Sequence, residues 1–380
     1  MKKYNVCFII ILVMLFSGCN QTEKPLPAEE TPIEKLTEEK TVQIEKKEEK
    51  PIDYVSEGGL LELPVVGASG YTAVSTQLKK DLTANSANIA LVKAGQGFCV
   101  LAEAGSFWRV EIDGQAGWIE HKNCLVNLPD VIPSIVYNNT NSNASVMISS
   151  GKNIPNITGE RLYQAFKPNP RLKKDEYIVP VLYAMAFKIF GAQQEALADG
   201  NTLIIYEGYR PRAVQQKVVK NLSELADKDP AVKKGLTNPP WSMSWFIATT
   251  ISNHQRGFAI DVSLGKITKK EVFIAGQYEY KLTTEHSEFK MPTQMHELST
   301  KAVVFKNPIS TKSGNQWKTA PLSASMNQEA VLLQKYCTNA GLTPLASEWW
   351  HFDDWACAAA ARGTGDFVMS ENYSSTPLKP

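Results

Sequence analysis

The chain has 380 residues, 43% of them apolar, and its 40 basic side chains against 39 acidic ones leave a net charge of +1. That length allows two or three domains, and the balanced charge gives no support to nucleic acid as a partner. The apolar share is ordinary for a globular protein, so the informative feature is how the composition is distributed along the chain.

The chain opens Met1-Lys2-Lys3, and an apolar run from Val6 to Phe16 follows. A basic start and an apolar segment too short to span a bilayer predict a secretory signal. The run ends Leu15-Phe16-Ser17-Gly18-Cys19, which resembles the lipobox of bacterial lipoproteins. The resemblance implies a signal peptide over residues 1–19, lipidation of Cys19, and an exported protein lipid-anchored to the outer face of a bacterial membrane. An ordinary cleaved signal with a chance cysteine is the alternative. Residues 20–57 are rich in Glu, Lys, Thr and Pro and poor in aromatics. Such a segment buries too little apolar surface to offset its ordering entropy, which predicts a disordered linker.

Folded structure is expected from residue 58. Phe107 to Ile112 alternates apolar and polar residues, Asp113-Gly114 follows, and a second strand begins at Gly117-Trp118. That pattern predicts a β-hairpin. The Trp-x-Val strand, Gly turn and Gly-Trp-Ile strand resemble bacterial SH3-like domains, which implies a small, all-β, partly open barrel over residues 58–130. Trp108 and Trp118 could line a ligand groove or fill the core. Asn127 to Pro133 marks the exit, and the Asn- and Ser-rich stretch from Tyr137 to Asn156 reads as a loop-rich lead into a second domain.

In that second part, Ile178 to Leu197 carries apolar residues at helical spacing, as do Ala213–Leu225 and Glu329–Ala340, the last stopped by Gly341. Leu203 to Tyr206 is a buried-type strand delivering Arg210 at its end, and Ile260, Val262 and Leu264 predict a strand with Asp261 in its middle. Without regular βαβ alternation the fold class is α+β. Two short stretches concentrate metal-binding residue types: Ser252 to Asp261 and Ser347 to Phe352. His254, Asp261 and His351 are three donors of the kind that hold a catalytic zinc with its fourth position open. Asp261 is seven residues after His254, so an unbroken strand would aim them apart; Gly257 allows the bend that brings them together. Glu348 stands where a general base could act.

These motifs resemble the metallopeptidases that act on D-alanyl-D-alanine, namely vancomycin-resistance-type dipeptidases and related D,D- and L,D-carboxypeptidases. The family pattern Ser-x-His-x-x-Gly-x-Ala-x-Asp matches Ser252, His254, Gly257, Ala259 and Asp261, and Glu-Trp-Trp-His matches Glu348 to His351. Glu207-Gly208-Tyr209-Arg210-Pro211 resembles its Tyr-Arg-Pro segment. The resemblance implies a zinc D-Ala-D-Ala peptidase domain over residues 155–362, a single Zn²⁺ on His254, Asp261 and His351, and Glu348 as base. It gives Arg210 to the oxyanion and places Ser252 and Tyr209 at the substrate. Where the dipeptidases carry an Asp that grips the substrate's free amine, this chain aligns His296, which puts strict dipeptide specificity in question. The expected substrate is D-Ala-D-Ala, with trimming of peptidoglycan stem peptides as the enzymatic alternative. A non-catalytic cell-wall-binding lipoprotein is the alternative outside enzymes. Cys99 and Cys124, and Cys337 and Cys357, permit one disulfide per domain. Residues 363–380 read as a polar tail.

Overall fold

The computed structural model describes residues 50–358 and 375–378. The expected signal peptide with Cys19, most of the linker and the start of the tail lie outside the described residues. Among those described, no helix is long and apolar enough to cross a membrane.

In chain order the strands are β1 (Ile52–Asp53), β2 (Ser69–Thr72), β3 (Thr76–Lys79), β4 (Asn88–Val92), β5 (Gly97–Ala104), β6 (Phe107–Ile112), β7 (Gln115–Glu120), β8 (Cys124–Asn127) and β9 (Val136–Tyr137). There follow β10 (Ile148–Ser149), β11 (Lys152–Asn153), β12 (Phe166–Asn169), β13 (Lys174–Tyr177), β14 (Pro180–Leu182), β15 (Asn201–Glu207), β16 (Ala259–Ala275), β17 (Tyr278–Glu288), β18 (Thr343–Leu345) and β19 (Glu348–Asp353). The helices are α1 (Tyr183–Ala198), α2 (Arg212–Lys228), α3 (Pro230–Thr237), α4 (Met243–Phe246), α5 (Gln328–Asn339) and α6 (Trp355–Ala358). The fold is thus mixed α and β with large sheets and few helices. An eight-stranded sheet runs β14-β8-β2-β5-β6-β7-β3-β4, and a seven-stranded sheet holds β1, β17, β16, β15 and β9, with β19 and β18 added on β16.

The β6–β7 hairpin forms as its pattern predicts. Asp113 and Gly114 both take positive φ, at 50° and 76°, the two-residue turn whose twist matches the flanking strands. Pairing begins at Ile112 and Gln115, two residues earlier than the Gly-Trp signal suggested. Trp108, Val110 and Ile112 are buried while Arg109 and Glu111 face solvent. Trp108 is core: it packs on Tyr183 at 4.5 Å between ring centroids and donates its Nε1–H to Glu103 at 3.0 Å. Trp118 is half-buried.

Three expectations are corrected. First, α1 starts at Tyr183, because Pro180 lacks an N–H and biases Val179 toward extended backbone. Pro180 to Leu182 instead form an edge strand opposite Asn127, Val126 and Leu125. The eight-stranded sheet therefore takes its last strand from beyond residue 130, and one hydrophobic core runs from Tyr71, Phe98 and Trp108 through Leu182 and Ile189 to Ile204, Ile260 and Trp350. Second, the expected linker is already structured at its end, since Ile52 and Asp53 pair in parallel with Tyr278 and Glu279. At the other terminus Thr376 N donates to Gly67 O at 2.9 Å, so part of the expected tail docks. Third, Cys99, Cys124, Cys337 and Cys357 are buried free thiols. Cys99 lies opposite Ser69 on one side of β2 and Cys124 opposite Thr72 on the other, so a strand separates them.

The helix over 328–339 ends as expected, with Gly341 at φ +88° and its N–H on Thr338 O at 3.0 Å. Asp261 is the third residue of a strand that extends to Ala275, well past Leu264.

Candidate metal centre

The centre is built on a row across three antiparallel strands. Asp261 on β16 is directly opposite Glu207 on β15 and His351 on β19. Residues opposite each other in such a ladder project on the same face, so the pairing itself brings these side chains together. A register irregularity between Ile205 and Glu207 offsets Glu207 from the regular ladder, as bulges beside functional sites do. Asp353, two residues past His351, shares its face of β19.

His254 reaches this row from a turn. His254 N donates to Ser252 Oγ at 3.2 Å, and Gly257 N to His254 O at 3.1 Å. Gly257 has φ +75°, a conformation that favours glycine and turns the chain into β16. The bend expected between His254 and Asp261 is therefore present. Gly257 O also accepts from Leu182 N at 2.7 Å, anchoring the turn on the eight-stranded sheet. Gly208 is needed for close approach: a Cβ there would lie 2.9 Å from Pro180 O. Its carbonyl accepts from His254 Nδ1 at 2.7 Å.

That last bond fixes a tautomer, because a carbonyl oxygen only accepts. The proton is on Nδ1, and the Nε2 lone pair of His254 points at the row, 3.3 Å from Asp261 Oδ1 and 3.1 Å from His351 Nδ1. His351 is oriented in the same way from the other side. Its Nε2 faces Asp353 Oδ1 at 3.1 Å, which leaves Nδ1 turned toward Asp261 Oδ1 at 3.0 Å. Two imidazole nitrogens and one carboxylate oxygen converge, each histidine braced through its other nitrogen, as metal-ligating histidines are. His254, Asp261 and His351, all buried, could hold a metal ion. Burial alone would raise the Asp261 pKa, but the imidazoles of His254, His296 and His351 around it hold it well below the usual carboxylate range. Burial works against a charged His351, yet Asp353 and Asp261 lift its pKa well above the ordinary value.

Arg210 lies just past β15 and is 6% exposed. Its Nε donates to Glu207 Oε2 at 2.8 Å and Nη1 to Gln215 Oε1 at 2.9 Å; Nη2 bonds Glu207 and, at 3.2 Å, Asp261 Oδ2. Four of its five N–H donors are engaged in these bonds, and one on Nη1 remains. Burial opposes the guanidinium charge, but Glu207 and Asp261 outweigh it and raise its pKa further. Glu207 in turn accepts from Asn141 at 2.9 Å and Tyr163 at 2.7 Å. Glu348 Oε2 is 3.8 Å from His351 Nδ1, and burial pushes its pKa up to about 8.

Arg210, Ser252, His254, Glu348 and His351 line one cavity of about 500 Å³, with an apolar wall from Phe246, Ile247, Ala248, Ile251 and Ile309. Tyr209 and His296 do not line it. Tyr209 is buried with its N–H on Pro180 O at 3.1 Å. His296 is behind Asp261, its Nε2 3.0 Å from Asp261 Oδ2. Sequence reasoning gave no role to Glu207, Gln215, Asp353 or the Gly208 carbonyl. Asp353 had a readable signal in its two-residue spacing from His351, and Glu207 in its position three before Arg210. The other two depend on pairings no local pattern carries. No protein-family model and no curated protein matches this chain.

Proposed function

We propose that this chain is a zinc peptidase cleaving D-alanyl-D-alanine-type bonds in cell-wall material, held at a bacterial membrane through Cys19. The observation that carries this reading is the convergence of the His254 and His351 nitrogens on Asp261 Oδ1, with His254, His351, Glu348 and Arg210 all lining one cavity. Two imidazoles and one carboxylate form a donor set that suits zinc with a position left open. The bound metal would supply a water of lowered pKa and polarise the scissile carbonyl.

Glu348 takes the proton from the attacking water and passes it to the leaving amine. A carboxylate held near 8 by burial moves toward neutrality beside a divalent cation, which suits a group that must both accept and release a proton. Arg210 offers its remaining Nη1–H to the developing oxyanion, and Glu207 and Gln215 hold the guanidinium in place. Ser252 holds the His254 turn and presents to the cavity beside it. The apolar wall receives alanyl methyl groups and excludes water. The β6–β7 hairpin sheet is read as an SH3-like wall-binding module that brings polymer to the site.

One observation favours stem peptides over the free dipeptide. Among the described residues the carboxylates on the cavity are Glu348 and Asp353; Asp353 Oδ1 is bonded to His351 and Asn253, and its Oδ2 has no hydrogen-bond partner. The residue aligned with the dipeptidases' amine-gripping Asp is His296, which is bonded to Asp261 and does not line the cavity, so an amine-blocked D,D- or L,D-carboxypeptidase substrate fits better. Zinc-loaded protein should release D-alanine from amine-blocked peptides faster than it splits free D-Ala-D-Ala, and a chelator should abolish both. Preference for the free dipeptide rules out the stem-peptide reading. Undiminished hydrolysis after complete metal removal, or no hydrolysis of either substrate, overturns the peptidase.

A further inference from the structure

Asp261 divides its two carboxylate oxygens between two sets of partners. Oδ1 faces the His254 and His351 nitrogens at 3.3 and 3.0 Å, and Oδ2 faces Arg210 Nη2 at 3.2 Å and His296 Nε2 at 3.0 Å. Glu207, Asp261 and His296 also form a group that could hold a cation. There, however, the Arg210 guanidinium already bonds both carboxylates and occupies the cationic role. His296 is therefore left with one function toward Asp261, as a hydrogen-bond donor.

The rest of the residue agrees. His296 is 1% exposed, and its Nδ1 has no hydrogen-bond partner. Its ring is edge-on to Tyr206 and Trp350, with centroids at 6.4 and 5.9 Å. A nitrogen in such a wall is tolerated as a bare lone pair far better than as an unpaired N–H, so the proton belongs on Nε2, aimed at Asp261. The backbone is held to the same end. His296 has φ +61°, a left-handed conformation that most side chains avoid and that persists only where the surroundings enforce it. Here the adjoining residues do so: Ile148 N donates to His296 O at 3.1 Å, and the Glu297 carboxylate accepts from Ser150 N, from Gly151 N at 2.9 Å and from Ser299 Oγ at 2.6 Å.

We infer that His296 is a positioning residue that, with Arg210, engages Asp261 Oδ2 so that Asp261 offers the metal Oδ1 alone. This rests on the metal reading of His254, Asp261 and His351, and a metal titration separates the two. Zinc affinity, measured by competition with a chromophoric chelator, and the visible spectrum of the cobalt-substituted protein are compared for wild type, His296→Ala, His296→Gln and His351→Ala. Circular dichroism reports folding for each. Wild type should take up one equivalent and His351→Ala none; a wild type that binds no metal overturns the metal reading itself. His296→Ala should still bind one equivalent, but about 10- to 100-fold more weakly, the usual effect of losing a partner behind a ligand. Its cobalt spectrum should change as Oδ2 is released. His296→Gln, which returns an N–H donor, should recover affinity and spectrum, and it carries the test if the alanine variant does not fold. Unchanged affinity and spectrum in His296→Ala overturn the inference, as does failure of the glutamine to restore either. Complete metal loss in His296→Ala, or a second equivalent in wild type, would make His296 a ligand instead.

Discussion

Two buried carboxylates in this molecule have opposite surroundings. Where α1 meets Val131 to Ser134, Glu62 accepts from Ser134 N at 2.9 Å, Ser134 Oγ at 2.5 Å and Gln194 Nε2 at 3.1 Å, all neutral donors. Burial pushes its pKa up to about 7 despite these bonds and the field of Lys281. Asp261 is as deeply buried, yet its partners are three imidazoles and a guanidinium, and its pKa falls well below the usual range. Burial alone does not decide a carboxylate's charge; neutral hydrogen bonds soften the desolvation penalty, while adjacent cationic groups reverse it. The first arrangement is a structural clasp that titrates near neutrality. The second favours the negative charge, which suits the metal-ligand role proposed for it.

The contrast can be broken most severely at Asp261. Asp261→Asn keeps the shape and removes the charge, so the protein should lose its bound metal and all hydrolysis, as read by metal analysis and product release; an active, metal-loaded Asn variant would mean that His254 and His351 suffice. Next in size is Glu348→Ala, which should keep its zinc while kcat falls by ~10²-fold or more, the usual size of a lost general base. If the metal leaves as well, Glu348 is a ligand. Arg210→Lys preserves a positive charge but not the fork that spans Glu207, Gln215 and Asp261, and kcat/KM should fall by about tenfold or more with one equivalent of metal still bound, though less tightly.

The remaining expected effect is at Glu62, leaves the candidate site untouched and concerns stability only. The folded-state pKa lies above the unfolded one, so the folded state binds more protons between them and stability falls as pH rises from about 4.5 to about 7. The full benefit is present below that window and gone above it. Glu62→Gln removes the titration, and urea unfolding of the variant should become flatter with pH across the window, by about 3 kcal/mol relative to wild type. An unchanged pH dependence would place the titration elsewhere.

Legibility in the sequence followed the range of the forces involved. The β6–β7 hairpin and the close of α5 at Gly341 could be read because an Asp-Gly pair and a helix-ending glycine act within a few residues. His254, Asp261 and His351 could be named from two motifs, and Gly257 foretold the bend between the first two. The start of α1 was misplaced because Ile178 to Leu182 is as apolar as a helix face, and only pairing with Asn127, Val126 and Leu125 shows it to be a strand. The continuation of β16 to Ala275 was missed because Lys266 to Glu271 is polar, and its order comes from the neighbouring β17. His296 was placed against the substrate because alignment to a motif carries no depth. What lies in front of Asp261 and what lies behind it is decided by the sheet.

The late strand β14 also bears on how the chain is made. Ribosomes deliver residues N-terminus first, and a domain whose contacts are all internal can finish as soon as it emerges. The eight-stranded sheet cannot, since β8 stays an open edge until Pro180 to Leu182 arrive; in the seven-stranded sheet β1 likewise waits for Tyr278 and Glu279. Loop closure over such separations is slow, and an unpaired edge left waiting invites other chains. For this protein the hazardous interval of biosynthesis is the one between residue 127 and residue 180, when six hairpin-rich strands are in place and the seventh has nothing to pair with on its outer side.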